Sequence, residues 1–339
     1  MKRDKVTFNE IAHYTGFSKT TISRYFNDPD SVSEKTREQL SAALKKLNYR
    51  ENKLARVLAK GKTEFIGVII PDLQMHYYAR LLTEILAMSD LYGYKFLVFQ
   101  GRGNLEAEER YIRELLSYSV EGLLMVSHTI PSASLASLDI PVITIEREDR
   151  HVSSVNADNY CGGRLAAKAL ADCGCEIMIH INADLKPVSP AYGRIIGFRN
   201  LCAELKLPEE EFLHSFGNKY EEIYPVMKTV FDTIRKKYKD RKKGIFVSND
   251  TAANVLLNII LQTYRTLPDD WKIVGFDDSP ISQEAVIPIS SIRQDIPRIA
   301  TEAVKMLADQ IEEKKKGKHD TSLYHNIIPV EYIGRRTTQ

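Results

Sequence analysis

The 339-residue chain has no run approaching the roughly eighteen consecutive apolar residues that a membrane-spanning helix requires. Its basic start, M-K-R-D-K-V-T-F-N-E, is followed by no apolar stretch, so a secretory signal is not expected and a cytoplasmic location is. Cysteine is scarce. Cys161, Cys173, Cys175 and Cys202 lack zinc-ligand spacing, which leaves reduced, idle thiols as the expectation. The signatures of catalysis are missing too: there is no G-x-S-x-G elbow, phosphate-binding P-loop, G-x-G-x-x-G turn or H-E-x-x-H pair. The eight histidines are scattered rather than clustered. An enzyme is not expected, and neither is a cofactor or a resident metal.

What is present is a charge asymmetry. Residues 1–62 carry 14 Lys and Arg against 7 Asp and Glu, a net of +7; the remainder carries 33 against 38, a net of −5. A basic head on an acidic body suits a polyanion-binding module joined to something that is not one. The length is too great for one ordinary domain and fits a small domain plus a larger, divided one.

In the head, Phe8, Ile11, Ala12 and Tyr14 fall at helical spacing behind Thr7, a natural cap. Gly16 allows a tight turn, and Ser18 caps a second helix over 19–26 whose inner face is Ile22, Tyr25 and Phe26. The stretch N-D-P-D at 27–30 breaks it, and Ser33 caps a third helix over 34–47. Two short helices across a glycine turn, buttressed by a third, describe a helix-turn-helix domain, whose second helix enters the major groove of DNA.

The spaced pattern V-T-x-x-x-I-A-x-x-x-G-x-S-x-x-T-I-S-R, followed by V-S-x-x-T-R and L-N-Y, resembles the DNA-binding head of the lac/galactose repressor family. That resemblance implies that Lys19 and Thr20 read bases from the start of the second helix, with Arg24 as a third groove contact. It assigns Thr7, Ser18, Thr21, Ser23 and Asn27 to phosphate contacts or capping. It also makes residues 51–62 a hinge. There Asn52, Ala55 and Leu58 would meet the minor groove, Leu58 as an apolar wedge that kinks the duplex. Such a short helix is unstable alone and would form only on DNA beside a partner hinge. The family usually has proline where this chain has Glu51.

After Gly61, short apolar runs alternate with longer helical stretches. Strands are predicted over 65–70, 95–100, 122–127, 142–146, 177–181, 212–216, 244–248 and 272–276. Near-continuous apolar strands joined by amphipathic helices mean parallel sheets covered on both faces. The number of units predicts two doubly wound α/β subdomains. This body resembles the same family's effector-binding core, itself periplasmic-binding-protein-like, through I-G-V-I-I-P-D-L, I-P-V-I-T-I-E-R, F-V-S-N-D-x-x-A, V-G-F-D-D and S-I-R-Q-D.

The resemblance divides the chain into a head at 1–50, the hinge at 51–62 and a core at 63–339. Within the core, one lobe takes 63–162 with 292–321 and the other 163–291 with 322–339. It places Asp72, Tyr77, Tyr78, Arg147 and Asp158 from the first lobe, and Arg194, Asn249, Asp277 and Gln294 from the second, around a ligand in the cleft. Acceptors, an arginine fork and stacking tyrosines suit a polyhydroxylated effector, a sugar or a phosphosugar. Lys219 stands where the family often has an aromatic ring, which leaves the phosphosugar open.

The sum is a homodimeric repressor of carbohydrate genes that binds double-stranded DNA at a palindromic operator and is gated from the cleft. The alternatives are gating by a protein corepressor or by a purine-type corepressor. The chain ends without a heptad tail, which favours a dimer over a tetramer.

Overall fold

The computed structural model describes residues 6–49, 63–147, 150–185, 189–317 and 322–339. The chain forms two compact units, Met1–Thr63 and Glu64–Gln339.

Among its described residues the first unit has three α-helices, α1 Phe8–Thr15, α2 Lys19–Asn27 and α3 Glu34–Lys46. Each starts where a hydroxyl satisfies free helical N–H groups. Thr7 and Glu10 make a reciprocal capping box, Ser18 Oγ accepts from the Thr21 N–H at 3.1 Å, and Ser33 Oγ accepts from the Thr36 N–H at 3.3 Å. Gly16 ends α1 in the left-handed region at φ +74°, with open space where a Cβ would stand, so its role is conformational. Ile11, Ile22 and Leu40 are fully buried at the centre, and Phe8 stacks on Phe26 at 5.6 Å.

The second unit holds two six-stranded sheets. In chain order the strands are β1 Phe65–Ile70, β2 Lys95–Gln100, β3 Gly122–Met125, β4 Val142–Ile145, β5 Ser153–Ala157 and β6 Ile177–Asn182. They continue with β7 Glu209–Leu213, β8 Lys243–Val247, β9 Trp271–Asp277, β10 Ser290–Gln294, β11 His325–Ile328 and β12 Val330–Ile333. The first sheet has the order β11-β5-β4-β3-β1-β2 and the second β12-β10-β9-β8-β6-β7. Every pairing is parallel except β10 with β12. Helices His76–Ala87 and Ile296–Lys315 bury one face of the first sheet, and Leu105–Ser117 lies on the other. Tyr220–Lys237 and Asp250–Tyr264 cover one face of the second sheet, Asn159–Asp172 and Tyr192–Glu204 its opposite face. This is the expected pair of doubly wound α/β lobes.

Three boundaries differ from those the sequence suggested. The chain leaves the first sheet after Ala157, crosses at Asp158, and enters a helix packed on the second sheet, four residues before 162. It returns at Asp295 rather than at 291, because β10 belongs to the second sheet through Gln294. The third crossing lies between Ile328 and Val330 rather than near 321, since β11 pairs with β5 in the first sheet. Strand β7 also sits at 209–213 rather than 212–216.

Helices Asn159–Asp172 and Tyr192–Glu204 cross on a glycine contact. A Cβ on Gly197 would lie 2.0 Å from the Tyr160 carbonyl oxygen, and one on Gly163 would lie 2.2 Å from that of Arg194. Both obstacles are backbone, so neither can swing aside. Gly197→Ala is therefore expected to destabilise the second unit by about 1–3 kcal/mol despite alanine's better helix propensity. Thermal denaturation of the full chain checks this; a melting temperature equal to the parent's would contradict the crossing distance.

Candidate functional site

Two regions carry exposed or convergent polar groups, one in each unit. On the head, Lys19, Thr20 and Arg24 are exposed on α2, and Thr20 and Arg24 stand one turn apart. Thr7 and Ser18 are capping groups, as their hydrogen bonds show, and Thr21 shares a 2.9 Å hydroxyl contact with Ser18. Ser23 is half-buried on the same helix, and Asn27 is its last residue. The hinge positions Asn52, Ala55 and Leu58, with Glu51, lie outside the described residues.

In the second unit a cavity of about 1090 Å³ opens between the two lobes. Among the predicted residues, Tyr77, Tyr78, Arg147, Arg194, Asn249, Asp277 and Gln294 line it. Two do not. Asp158 caps helix Asn159–Asp172, its Oδ1 accepting from the Cys161 N–H at 2.8 Å. Asp72 accepts from the Gln74 N–H at 2.9 Å, from Gln100 Nε2 at 3.2 Å, and from Asn218 Nδ2 of the other lobe at 3.0 Å. It bridges the lobes beside the cavity instead of facing into it. Lys219 is also outside the described lining; Phe216, three residues earlier, supplies an aromatic ring there.

Arg194 organises the floor. Its guanidinium lies 3.5 Å over the Phe276 ring, Nε donates to Asn159 Oδ1 at 2.7 Å and Nη1 to the Ser248 carbonyl at 2.7 Å. Asn159 in turn donates from Nδ2 to Glu146 Oε2 at 3.4 Å. Glu146 is a lining residue that sequence reasoning passed over. It follows β4 in the left-handed region at φ +54°, and its Oε1 accepts from the Ala157 N–H at 2.7 Å. The relay from Glu146 through Asn159 to Arg194 spans the first crossing between the lobes. Burial pushes the Glu146 carboxyl up and the Arg194 charge opposes that shift.

Asp277 sits opposite, at the end of β9 with φ +101°, and Asp278 follows at φ +48°. A non-glycine pair in such conformations persists only where its surroundings over-determine it. Here Arg335 Nη2 donates to Asp278 Oδ1 at 2.5 Å, Asp278 N–H to Ser291 Oγ at 3.0 Å, and Ser279 N–H to Asp250 Oδ2 at 2.7 Å. Gln294 Nε2 then donates to Asp277 Oδ1 at 2.7 Å, leaving Gln294 Oε1 buried with no hydrogen-bond partner. Tyr77 Oη, across the cavity, is likewise buried and unpartnered.

Burial pushes the Asp277 carboxyl up to about 7, Arg194 and the Gln294 amide resisting and Glu146 adding to the rise. A folded value above the unfolded one means that stabilisation from this group is complete below about pH 4 and is lost as pH rises through about 7. Asp277→Asn is accordingly expected to narrow the fall in melting temperature between pH 6 and pH 8. An unchanged slope would place that proton elsewhere. His128 lines the cavity and is exposed to it, and the surrounding protein and the Arg147 charge hold its imidazole below the ordinary histidine range.

Among the described residues, no group of three or more His, Cys, Asp or Glu could hold a metal ion, and no helix is long and apolar enough to cross a membrane.

The comparisons with known proteins fit both regions. Residues 7–52 match the model of bacterial regulatory proteins of the lacI family, and residues 167–338 match that of a periplasmic binding protein-like domain. A ribose operon repressor of Halalkalibacterium halodurans is 28% identical over 334 residues, covering 98% of this chain and 97% of that protein. A sucrose operon repressor of Streptococcus mutans is 29% identical over 310 residues, covering 91% and 94%. A lac repressor dimer bound to operator and an anti-inducer superposes with a TM-score of 0.81, at 24% identity and 99% coverage of both chains, and so shares the fold. A reading head matched from its first cap onward, and a two-lobed core matched over half the chain, place this protein in the lacI family of bacterial transcriptional regulators.

Proposed function

We propose that the chain is a cytoplasmic, homodimeric repressor that binds a palindromic operator through Lys19, Thr20 and Arg24 and is gated by a neutral sugar held between its lobes. The observation that carries the sugar is the pair of buried, unpartnered oxygens in the cavity, Tyr77 Oη from one lobe and Gln294 Oε1 from the other. A hydroxylated ligand can donate to or accept from both, and the unmet hydrogen bonds favour a closed cleft around it. Tyr78 and Phe216 offer apolar ring faces for a sugar's C–H face, Asp277 offers an acceptor, and Asn249, whose Oδ1 caps helix Asp250–Tyr264 by accepting from the Ala252 N–H at 2.8 Å, offers its amide N–H donors. Among the relatives, the named operons are those of ribose and sucrose.

Charge argues for a neutral ligand over a phosphosugar. Arg194 is already bonded twice and faces two carboxyls whose burial it offsets. Arg147 donates to the Ser127 carbonyl at 3.3 Å. A phosphate beside Glu146 and Asp277 would meet two buried acids, while the further lining cation, Arg150, is exposed.

A sugar that binds one lobe arrangement more tightly shifts the balance between arrangements by that difference, and operator affinity shifts reciprocally. Asp72 and Asn218, joined across the lobes, belong to the contacts that such a movement makes or breaks. The test is fluorescence anisotropy on a duplex selected from random sequence by the protein itself, with D-ribose, sucrose and their phosphorylated forms added. A neutral sugar is expected to change the half-saturation point about tenfold or more, a coupling of about 1.4 kcal/mol. No salt-dependent duplex binding, or stronger coupling by the phosphorylated forms, would defeat the respective half of the proposal.

A further inference from the structure

Strand β6 reads I-M-I-H-I-N, and its polar residues form a unit of their own. His180 is fully buried. Its ring stands edge-on to Phe246 at 4.6 Å and to Phe198 at 5.3 Å. Burial, with the Arg194 and Arg199 charges, pushes the imidazole down to about 3, so the ring is neutral. Asn182, two residues on and facing the same side of the sheet, lines the cavity.

The geometry settles how this pair is wired. Asn182 Oδ1 accepts from the Ala183 N–H at 2.8 Å. A backbone N–H can only donate, so the oxygen of the amide must lie on that side. The NH2 group therefore faces His180 Nε2, at 3.0 Å. A neutral imidazole that accepts at Nε2 carries its proton on Nδ1, and Nδ1 is buried with no hydrogen-bond partner. Packing alone does not call for a polar ring here: Met178, on the same face, fills the same aromatic core as a plain hydrophobe. An orphaned buried donor is unfavourable, and it persists where another role retains it.

We propose that His180 is a positioning residue for the effector. As a fixed acceptor it holds the Asn182 amide so that the second N–H is presented to an oxygen of the bound sugar, and the His180–Asn182 pair thereby helps decide which sugar fits. This rests on the cavity being a sugar site, and the wiring of the pair is testable apart from it.

Two measurements on the full chain decide it. With no sugar present, nitrogen-15 NMR of histidine-labelled protein is expected to show His180 as the Nδ1–H tautomer, with no titration between pH 5.5 and 8. An Nε2–H tautomer, or titration in that window, overturns the inference whether or not any sugar binds. For whichever of D-ribose and sucrose binds the parent, His180→Phe and Asn182→Ala are each expected to weaken affinity about tenfold, and the double variant no further than Asn182→Ala alone. His180→Gln, which keeps an acceptor, is expected to recover part of the loss. Met178→Ala creates a packing defect in the same core without touching the amide, and it should lower the melting temperature while changing affinity less than about threefold. Additive losses, or an equal loss in Met178→Ala, mean that His180 serves packing alone. If neither sugar binds the parent, the sugar reading has failed, and the NMR result still rules on the pair.

Discussion

Arg194→Leu is expected to weaken sugar binding by about 100-fold or more, equivalent to about 2.8 kcal/mol. Leucine keeps apolar contact with the Phe276 ring but strips donors from Asn159 Oδ1 and the Ser248 carbonyl. The larger effect is electrostatic. Arg194 is the charge that opposes the burial-driven rise of both Glu146 and Asp277. Without it both carboxyls protonate more readily, and groups placed to accept from hydroxyls lose acceptor strength together. The relay through Asn159 to Glu146 loses its anchor as well, so the wall contributed by the first lobe loosens with the floor of the second. Arg164→Leu is the matched control. It lies on the partner helix of the same crossing, makes an exposed two-pronged pair with Glu204, and should change affinity by less than about threefold. Titration calorimetry with the sugar that binds the parent separates them. An Arg194→Leu affinity within threefold of the parent's would remove the floor from the site.

The head was legible because its signals are local. A hydroxyl cap, a glycine in the left-handed region and apolar residues at helical spacing each act within a few positions, and Thr7, Gly16, Ser18 and Ile22 all do what their spacing implies. The apolar strands of the core were legible for the same reason. Strands β5 and β10 were missed because they are buried but polar. Ser153, Ser154 and Asn156, and likewise Ser290, Ser291 and Gln294, are inside the fold and mostly hydrogen-bonded, so no apolar run marks them. β11 was missed because His325–Ile328 is short and exposed along much of its length, which moved the third crossing to the wrong place.

At the site, acids at strand ends were the difficulty. Asp158, Asp277 and Glu146 all stand at strand ends, yet one caps a helix and two face the cavity. What separates them is backbone conformation: Glu146 and Asp277 turn left-handed, at +54° and +101°, whereas Asp158 keeps an ordinary φ of −73°. The partners that hold these turns come from later in the chain: Ala157 and Asn159 bond the Glu146 carboxylate, and the tail residue Arg335 bonds Asp278. Lys219, which the sequence left open, is not among the lining residues. Phe216, Gly217 and Asn218 line the cavity at this turn, and Glu222 packs against Gly217.

Ile22→Ala is expected to abolish operator binding while leaving the sugar-binding unit intact. The head's centre has three fully buried residues, Ile11, Ile22 and Leu40, ringed by partly exposed aromatics. Truncating one of them removes about 2–5 kcal/mol, which matches or exceeds the stability that a helical unit of this size ordinarily has. Ile22 is also the buried residue of the helix that presents Lys19, Thr20 and Arg24, the proposed reading face, so its loss frees that face first. The expected result is at least about a 100-fold loss of operator affinity, a drop in helical circular dichroism corresponding to the head, and an unchanged melting transition for residues 64–339, because the two compact units have separate cores. Lys19→Ala provides the contrast: the head stays folded, the far-ultraviolet spectrum is that of the parent, and affinity falls for the loss of one base contact, about 1–3 kcal/mol. Were Ile22→Ala to retain parental operator affinity, the three-helix head could not be the reader. Were it to lower the second transition as well, the two cores would not be independent.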